Sequence, residues 1–172
     1  MKNLKENKKS KFPKVGLRNI KTAISATLCA IIYLIIGRNP TFACIGAVFG
    51  MDNSLPSSLK TGGNRLMGTV IGGLIGMGLF ALLSRLPFPK ISLLILLFLG
   101  IVILIYISQL LKFSGAIQAG AVVFYIVMLN TPEDRYIGYA LNRILDTGVG
   151  VTISLIINWA HFTILDRFTT EE

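Results

Sequence analysis

Residues 91–111, ISLLILLFLGIVILIYISQLL, contain no charged side chain, and that run excludes most ways a chain can fold. Hydrocarbon offers no water to exposed peptide groups, so a spanning segment must bond its backbone internally, as a helix does. At 1.5 Å per residue, about 20 apolar residues cross the bilayer core. The run is read as a membrane-spanning helix. The whole 172-residue chain is 53% hydrophobic, above the ~45–50% typical of soluble domains, and its charges crowd into the ends and short loops. The fold class this implies is an all-α, multi-pass membrane protein.

Turn residues cut the chain into six helices. Residues 17–37 make the first. Residues 40–51 hold just over half a crossing, so the second helix is short, tilted or broken. The turn DNSLPSS leads into a third helix reaching about Ser84, and SRLPFPK, with Pro87 and Pro89, ends it. Residues 91–111 and 113–129 supply the fourth and fifth. TPED opens the sixth, with Thr131 expected as its cap, Pro132 at its first helical position and two acids in its first turn. That helix can run to about Leu165. The chain thus divides into a basic arm (1–15), a six-helix membrane domain (16–165) and a short tail (166–172).

Six lysines lie within the first 14 residues. Such a run can bind nucleic acid, but lysine beside a first membrane helix marks a cytoplasmic flank, and no nucleic-acid partner is expected. With the N-terminus inside and six crossings, twelve of the 17 basic residues fall on the inner side. Both termini are accordingly placed in the cytoplasm of a cell-membrane protein, whose arm also attracts anionic lipid. The first apolar run is longer than the core of a cleavable signal and lacks a small-residue cleavage site, so it reads as a retained helix.

Catalysis finds little to work with. The single histidine, His161, lies near the end of the sixth helix, where interfacial packing suits it. Cys29 and Cys44 sit in apolar surroundings without C-x-x-C spacing, and no H-E-x-x-H, G-x-S-x-G or phosphate-binding loop occurs. No enzyme, metal or cofactor is expected.

Two stretches carry more. NRLMGT, Asn64 to Thr69, and NRILDT, Asn142 to Thr147, each follow a hydroxyl and a proline: Ser54 and Pro56 in the first copy, Thr131 and Pro132 in the second. Each lies in the third helix of a three-helix half, and an odd number of crossings per half turns the second half over. Two inverted three-helix repeats are expected, a plan in which transporters place substrates near the midplane between the halves. A chance match within an apolar sequence is the alternative.

At i+4 spacing the third helix carries Asn64, Gly68, Gly72 and Gly76; the sixth carries Asn142, Asp146, Gly150, Ser154 and Asn158. Helices approach closely in lipid where side chains are small, so Gly68, Gly72, Gly76 and Gly150 are assigned to helix packing. A charge at the bilayer centre costs about 2.5–3.5 kcal/mol on insertion scales. Arg65 and Arg143 therefore either snorkel to the interface or turn inward with Thr69 and Thr147. Asp146, three residues beyond Arg143, is its salt-bridge partner if near the surface and a proton-coupling candidate if deep. Asp52, Thr22, Ser25, Gln118 and Tyr125 are further candidates for lining a polar path.

GLRNIKTA, Gly16 to Ala23, and the Ser-Leu-Lys…Asn-Arg-x-x-Gly-Thr-x-x-Gly segment from Ser58 to Gly72 resemble the aromatic acid exporter family, within the fusaric acid resistance protein-like superfamily. The resemblance covers about residues 15–165. It implies a six-helix membrane unit that exports organic anions such as aromatic carboxylates and self-associates. Many members continue into a soluble cytoplasmic domain, which bears on regulation. Plant malate channels look like distant relatives and imply an anion path near a homodimer axis, where Lys60, Arg65 and Arg143 would attract and relay the anion. The candidate substrate-binding set is then Lys60, Asn64, Arg65, Asn142, Arg143 and Gln118. The expected partners are an organic anion, the bilayer and a second copy in a homodimer. The rival readings are a passive anion channel of the same architecture and a non-transporting scaffold with a dry, leucine-filled centre.

Overall fold

The computed structural model describes residues 16–86, 89–132 and 135–169, the side chains of Pro89 and of residues 161–169 aside. The basic arm, the Glu133-Asp134 pair, the end of the tail and the His161 side chain lie outside the described residues. Six helices follow in order: α1 Leu17–Ile36, α2 Thr41–Gly50, α3 Leu55–Leu83, α4 Pro89–Leu110, α5 Ile117–Asn130 and α6 Tyr136–Thr169. A 3-10 turn at Ser114–Ala116 leads into α5, and no strand occurs among the described residues. α1, α3, α4 and α6 are long and apolar enough to cross a bilayer. α2, at 10 residues, spans only about 15 Å, and α5 is also short of a crossing.

Local chemistry sets the boundaries. α1 ends at Gly37, whose φ of 72° is the left-handed conformation that glycine adopts without penalty; the N–H groups of Gly37 and Arg38 then reach back to the Leu34 and Tyr33 carbonyls. α3 starts at Ser54, whose Oγ accepts from the Ser57 N–H at 3.3 Å, with Pro56 in the first turn. The N–H groups that a Thr131 cap would bond belong to Glu133 and Asp134, outside the described residues. The Thr131 hydroxyl donates to the Ile126 carbonyl at 3.2 Å at the end of α5, and described α6 runs from Tyr136. The last carbonyls of α5 lack intrahelical partners, and the hydroxyl of the extended residue immediately after them satisfies one.

α1 and α6 lie side by side and antiparallel. At one end Lys21 Nζ donates to Asn158 Oδ1 at 2.7 Å; at the other Arg38 reaches Asn142 and Asp146. α3 packs against α5 and α6, α2 against α6, and α4 across α3 and α5. Two of these seams bring backbones together. A Cβ on Gly68 or Gly72 would collide with the main chain of Ala116 and Gly120, and one on Gly150 with that of Ala43. Lipid tails are as apolar as leucine, so helices associate through such close contact rather than by excluding water. Gly76 sits against Val127 in the same α3–α5 seam. Larger side chains fill one cluster, including Ile71, Phe80, Leu104, Phe124 and Met128, between α3, α4 and α5. Leu34 and Ile35 of α1 and Leu94 and Phe98 of α4 face outward. A bundle with long apolar helices and greasy outer faces is a multi-pass membrane protein.

Candidate functional site

Two polar pockets interrupt this bundle, and each holds one of the Asn-Arg steps. Leu66 packs near Gly148, Gly62 against Val151 and Gly73 near Ile144, so α3 and α6 cross antiparallel. On that register Arg65 stands opposite the Gly150 region and Arg143 opposite the Gly72 region. Their Cα atoms are about seven residues apart along the axis, roughly 10 Å. Arg65 is ten residues beyond the start of α3, about 15 Å in. Arg65 therefore stems from well inside its helix, whereas Arg143, seven residues beyond the start of described α6, shares its pocket with Arg38 and Asn39 of the turn between α1 and α2.

The first pocket, of about 180 Å³, is lined by Phe49, Thr61, Asn64, Arg65, Gly115, Gln118 and Ala119. α2 supplies the phenylalanine, α3 the Asn-Arg step, and the start of α5 the glutamine. Arg65 Cζ lies 5.0 Å from the Phe49 ring centroid, a cation–π contact. Its Nε is buried without a hydrogen-bond partner among the described residues. No acidic residue lines this pocket, although Asp52 reaches its rim by accepting from Thr61 Oγ1 at 3.3 Å. The Thr69 hydroxyl turns back to the Arg65 carbonyl at 3.0 Å instead of meeting the guanidinium. Lys60 is exposed and outside the lining.

The second pocket, of about 360 Å³, is lined by Arg38, Asn39, Asn142, Arg143 and Asp146. Asp146 is 2% exposed, with Oδ1 accepting from Arg38 Nη2 at 2.9 Å and from the Tyr33 hydroxyl at 3.0 Å. Arg143 Nη2 is 3.7 Å from Oδ2, a looser ion pair than the Arg38 one. The Arg143 guanidinium is instead held against aromatic faces, 3.5 Å from the Phe42 centroid and 4.6 Å from that of Tyr139. Asn142 Oδ1 accepts from Arg38 at 3.1 Å.

A third polar group ties the bundle together at the far end of α6. Asn158 accepts from Lys21 and donates through Nδ2 to Ser58 Oγ at 2.7 Å, and the Asp52 N–H also donates to Ser58 Oγ at 2.7 Å. Lys21 is only 6% exposed, so it is a bundle residue and not a solvated flank charge. Sequence reasoning passed over Arg38, Tyr33 and this role of Lys21. The signal was present: Lys21, Ser25, Cys29 and Tyr33 form an i+4 lane, all buried, which runs antiparallel to the Asp146-to-Asn158 lane of α6. Among the described residues no three His, Cys, Asp or Glu side chains gather closely enough to hold a metal ion.

A family model described as aromatic acid exporter family member 1 matches residues 13–160. The chain belongs to this family. Similar proteins include a UPF0421 protein of Staphylococcus haemolyticus, 28% identical over 145 residues, covering 84% of this chain and 42% of that protein. A UPF0421 protein of Oceanobacillus iheyensis is 26% identical over 144 residues, covering 84% of this chain and 39% of the relative. One from Staphylococcus saprophyticus is 36% identical over 63 residues, or 37% of this chain and 19% of its own. The chain thus spans about two-fifths of the length of the two relatives matched across most of it.

Proposed function

We propose that this aromatic acid exporter family protein carries small organic anions, aromatic carboxylates among them, out of the cell across the cell membrane. One observation carries the reading. Arg65 stands deep in the bundle, in a polar pocket, with no acidic partner among the described residues. A cation at membrane depth is expensive unless something compensates it, and a passing anion is such a partner. Asn64, Thr61 and Gln118 add amide and hydroxyl groups, and the Arg143 pocket provides the corresponding station toward the other end.

The two halves, α1–α3 and α4–α6, act in this reading as inverted repeats. The pairing supports it: α3 packs on α5 as α6 packs on α2, and α4 covers α3 as α1 covers α6. Each pocket joins an Asn-Arg step to the entry of the other half's middle helix, Gly115 and Gln118 before or in α5, Arg38 and Asn39 before α2. Both termini face the cytoplasm, and the working unit is a homodimer.

Flux of benzoate from proteoliposomes tests the proposal. Protein-dependent efflux is expected, and Arg65→Ala should reduce it about ten- to hundredfold, the worth of a lost charge-assisted hydrogen bond. Equal leakage with and without protein sinks the idea. Current that follows voltage alone, with no gradient needed, would make the same route a channel.

A further inference from the structure

The two Asn-Arg pockets differ in one ion. In the Arg143 pocket a carboxylate is already present: Asp146 accepts from Arg38 at 2.9 Å and faces Arg143 at 3.7 Å. In the Arg65 pocket the corresponding position of the repeat is Gly68, and no residue of the lining is acidic. Asn142 spends its carbonyl oxygen on Arg38, whereas Asn64, Gln118 and the Arg65 guanidinium converge on open space. Arg143 Nε is also without a hydrogen-bond partner among the described residues, yet its guanidinium has an acid beside it; among the same residues that of Arg65 has the Phe49 ring and no acid.

We infer that the protein holds one small carboxylate per chain, in the Arg65 pocket, and that Asp146 is the built-in counterpart of that ligand in the Arg143 pocket. The inference rests on the transport reading and deepens it by assigning the resting site. The Arg65 cavity, about 180 Å³, is below the ~300–1,000 Å³ of sites for drug-sized ligands, which suits a short or single-ring anion. The acceptor it selects is an oxyanion beside a planar guanidinium fork. A lipid phosphate shares that chemistry, so the test separates the two sources.

Calorimetric titration of benzoate into protein held in phosphatidylcholine nanodiscs should give one site per chain. Arg65→Gln should weaken it about ten- to hundredfold. Asn64→Asp, which sets a carboxylate beside Arg65, should abolish it. Asp146→Asn keeps an acceptor for Tyr33 while removing the internal anion, and should raise the count to two. If that variant is not monodisperse, Asn64→Asp decides. Two sites in the wild type, or unchanged affinity in Arg65→Gln or Asn64→Asp, overturns the inference, as does a folded Asp146→Asn that still binds one. Displacement of benzoate by added phosphatidylglycerol assigns the pocket to lipid headgroups and overturns it too. A wild type that transports benzoate but fails these tests sinks this inference alone; one that neither binds nor transports sinks the transport reading with it.

Discussion

In the Arg143 pocket three side chains converge on one carboxylate; in the Arg65 pocket the guanidinium lies over the Phe49 ring, in a cavity lined by amides and a hydroxyl. The same Asn-Arg step thus ends in opposite electrostatic states. The cause is steric as much as chemical. A Cβ at Gly68 would collide with the Ala116 carbonyl, so α5 excludes any side chain there, an acid included. Asp146 instead faces the turn between α1 and α2, where Arg38 and Tyr33 can reach it. The openness of the Arg65 pocket is therefore a product of helix packing: the seam that holds α3 to α5 also denies Arg65 an internal counter-ion.

The largest expected effect breaks the comparison at its charged side. Asp146→Ala leaves Arg38 and Arg143 facing each other and Tyr33 without its acceptor. Removing one member of a fully buried ion pair typically costs about 3–5 kcal/mol, and because the Arg38 side chain is 44% exposed the loss here should fall between that and the ~1 kcal/mol of an exposed pair. The melting temperature of detergent-purified protein should fall by many degrees. Arg65→Met should behave oppositely, because no ion pair is lost and a buried charge is removed; its stability should stay within about 1 kcal/mol of wild type or rise. Equal losses in the two variants would mean that Arg65 is as well neutralised as Asp146.

A smaller effect sharpens the packing half of the comparison. Gly72→Ala and Gly150→Ala each press a methyl group into facing backbone, of Gly120 and of Ala43. Overpacking of this kind costs about 1–3 kcal/mol. If the two seams are related by an inverted repeat, the two losses should match, and Gly78→Ala, with open space around it, should cost nothing measurable. A large loss at Gly72 with none at Gly150 would break the equivalence of the seams.

Much of this was legible in the chain. Apolar length marked α1, α3, α4 and α6, and Pro, Gly and Ser marked the turns, because a membrane helix is dictated by local composition. Arg38 was not legible as a partner of Asp146, since the pair lies 108 residues apart and forms only once α1 and α6 run antiparallel. The inward role of Lys21 was not legible for a related reason. Positive-inside counting treats every flanking lysine as solvated, and only the packed α6 lane shows that Asn158 draws this one inward.

The smallest effect concerns the rings under the two guanidinium groups. Phe42 lies 3.5 Å from Arg143 Cζ and Phe49 5.0 Å from Arg65 Cζ. A cation–π contact is worth about 0.5–1 kcal/mol when exposed and about 2 when desolvated. Phe42→Leu should therefore lower stability by about 1 kcal/mol, because the Arg143 side chain is largely buried and leans on that ring and on Tyr139. Phe49 is exposed, so Phe49→Leu should cost less than about 0.5 kcal/mol in melting experiments. Its consequence should appear in benzoate binding instead, because the ring lies against the Arg65 fork at the cavity wall. The pair of variants separates two roles for an aromatic beside an arginine: structural where an acid already neutralises the charge, ligand-orienting where none does. Matching stability losses, with benzoate affinity untouched in Phe49→Leu, would show that the rings do the same job and that the pockets differ in their ions alone.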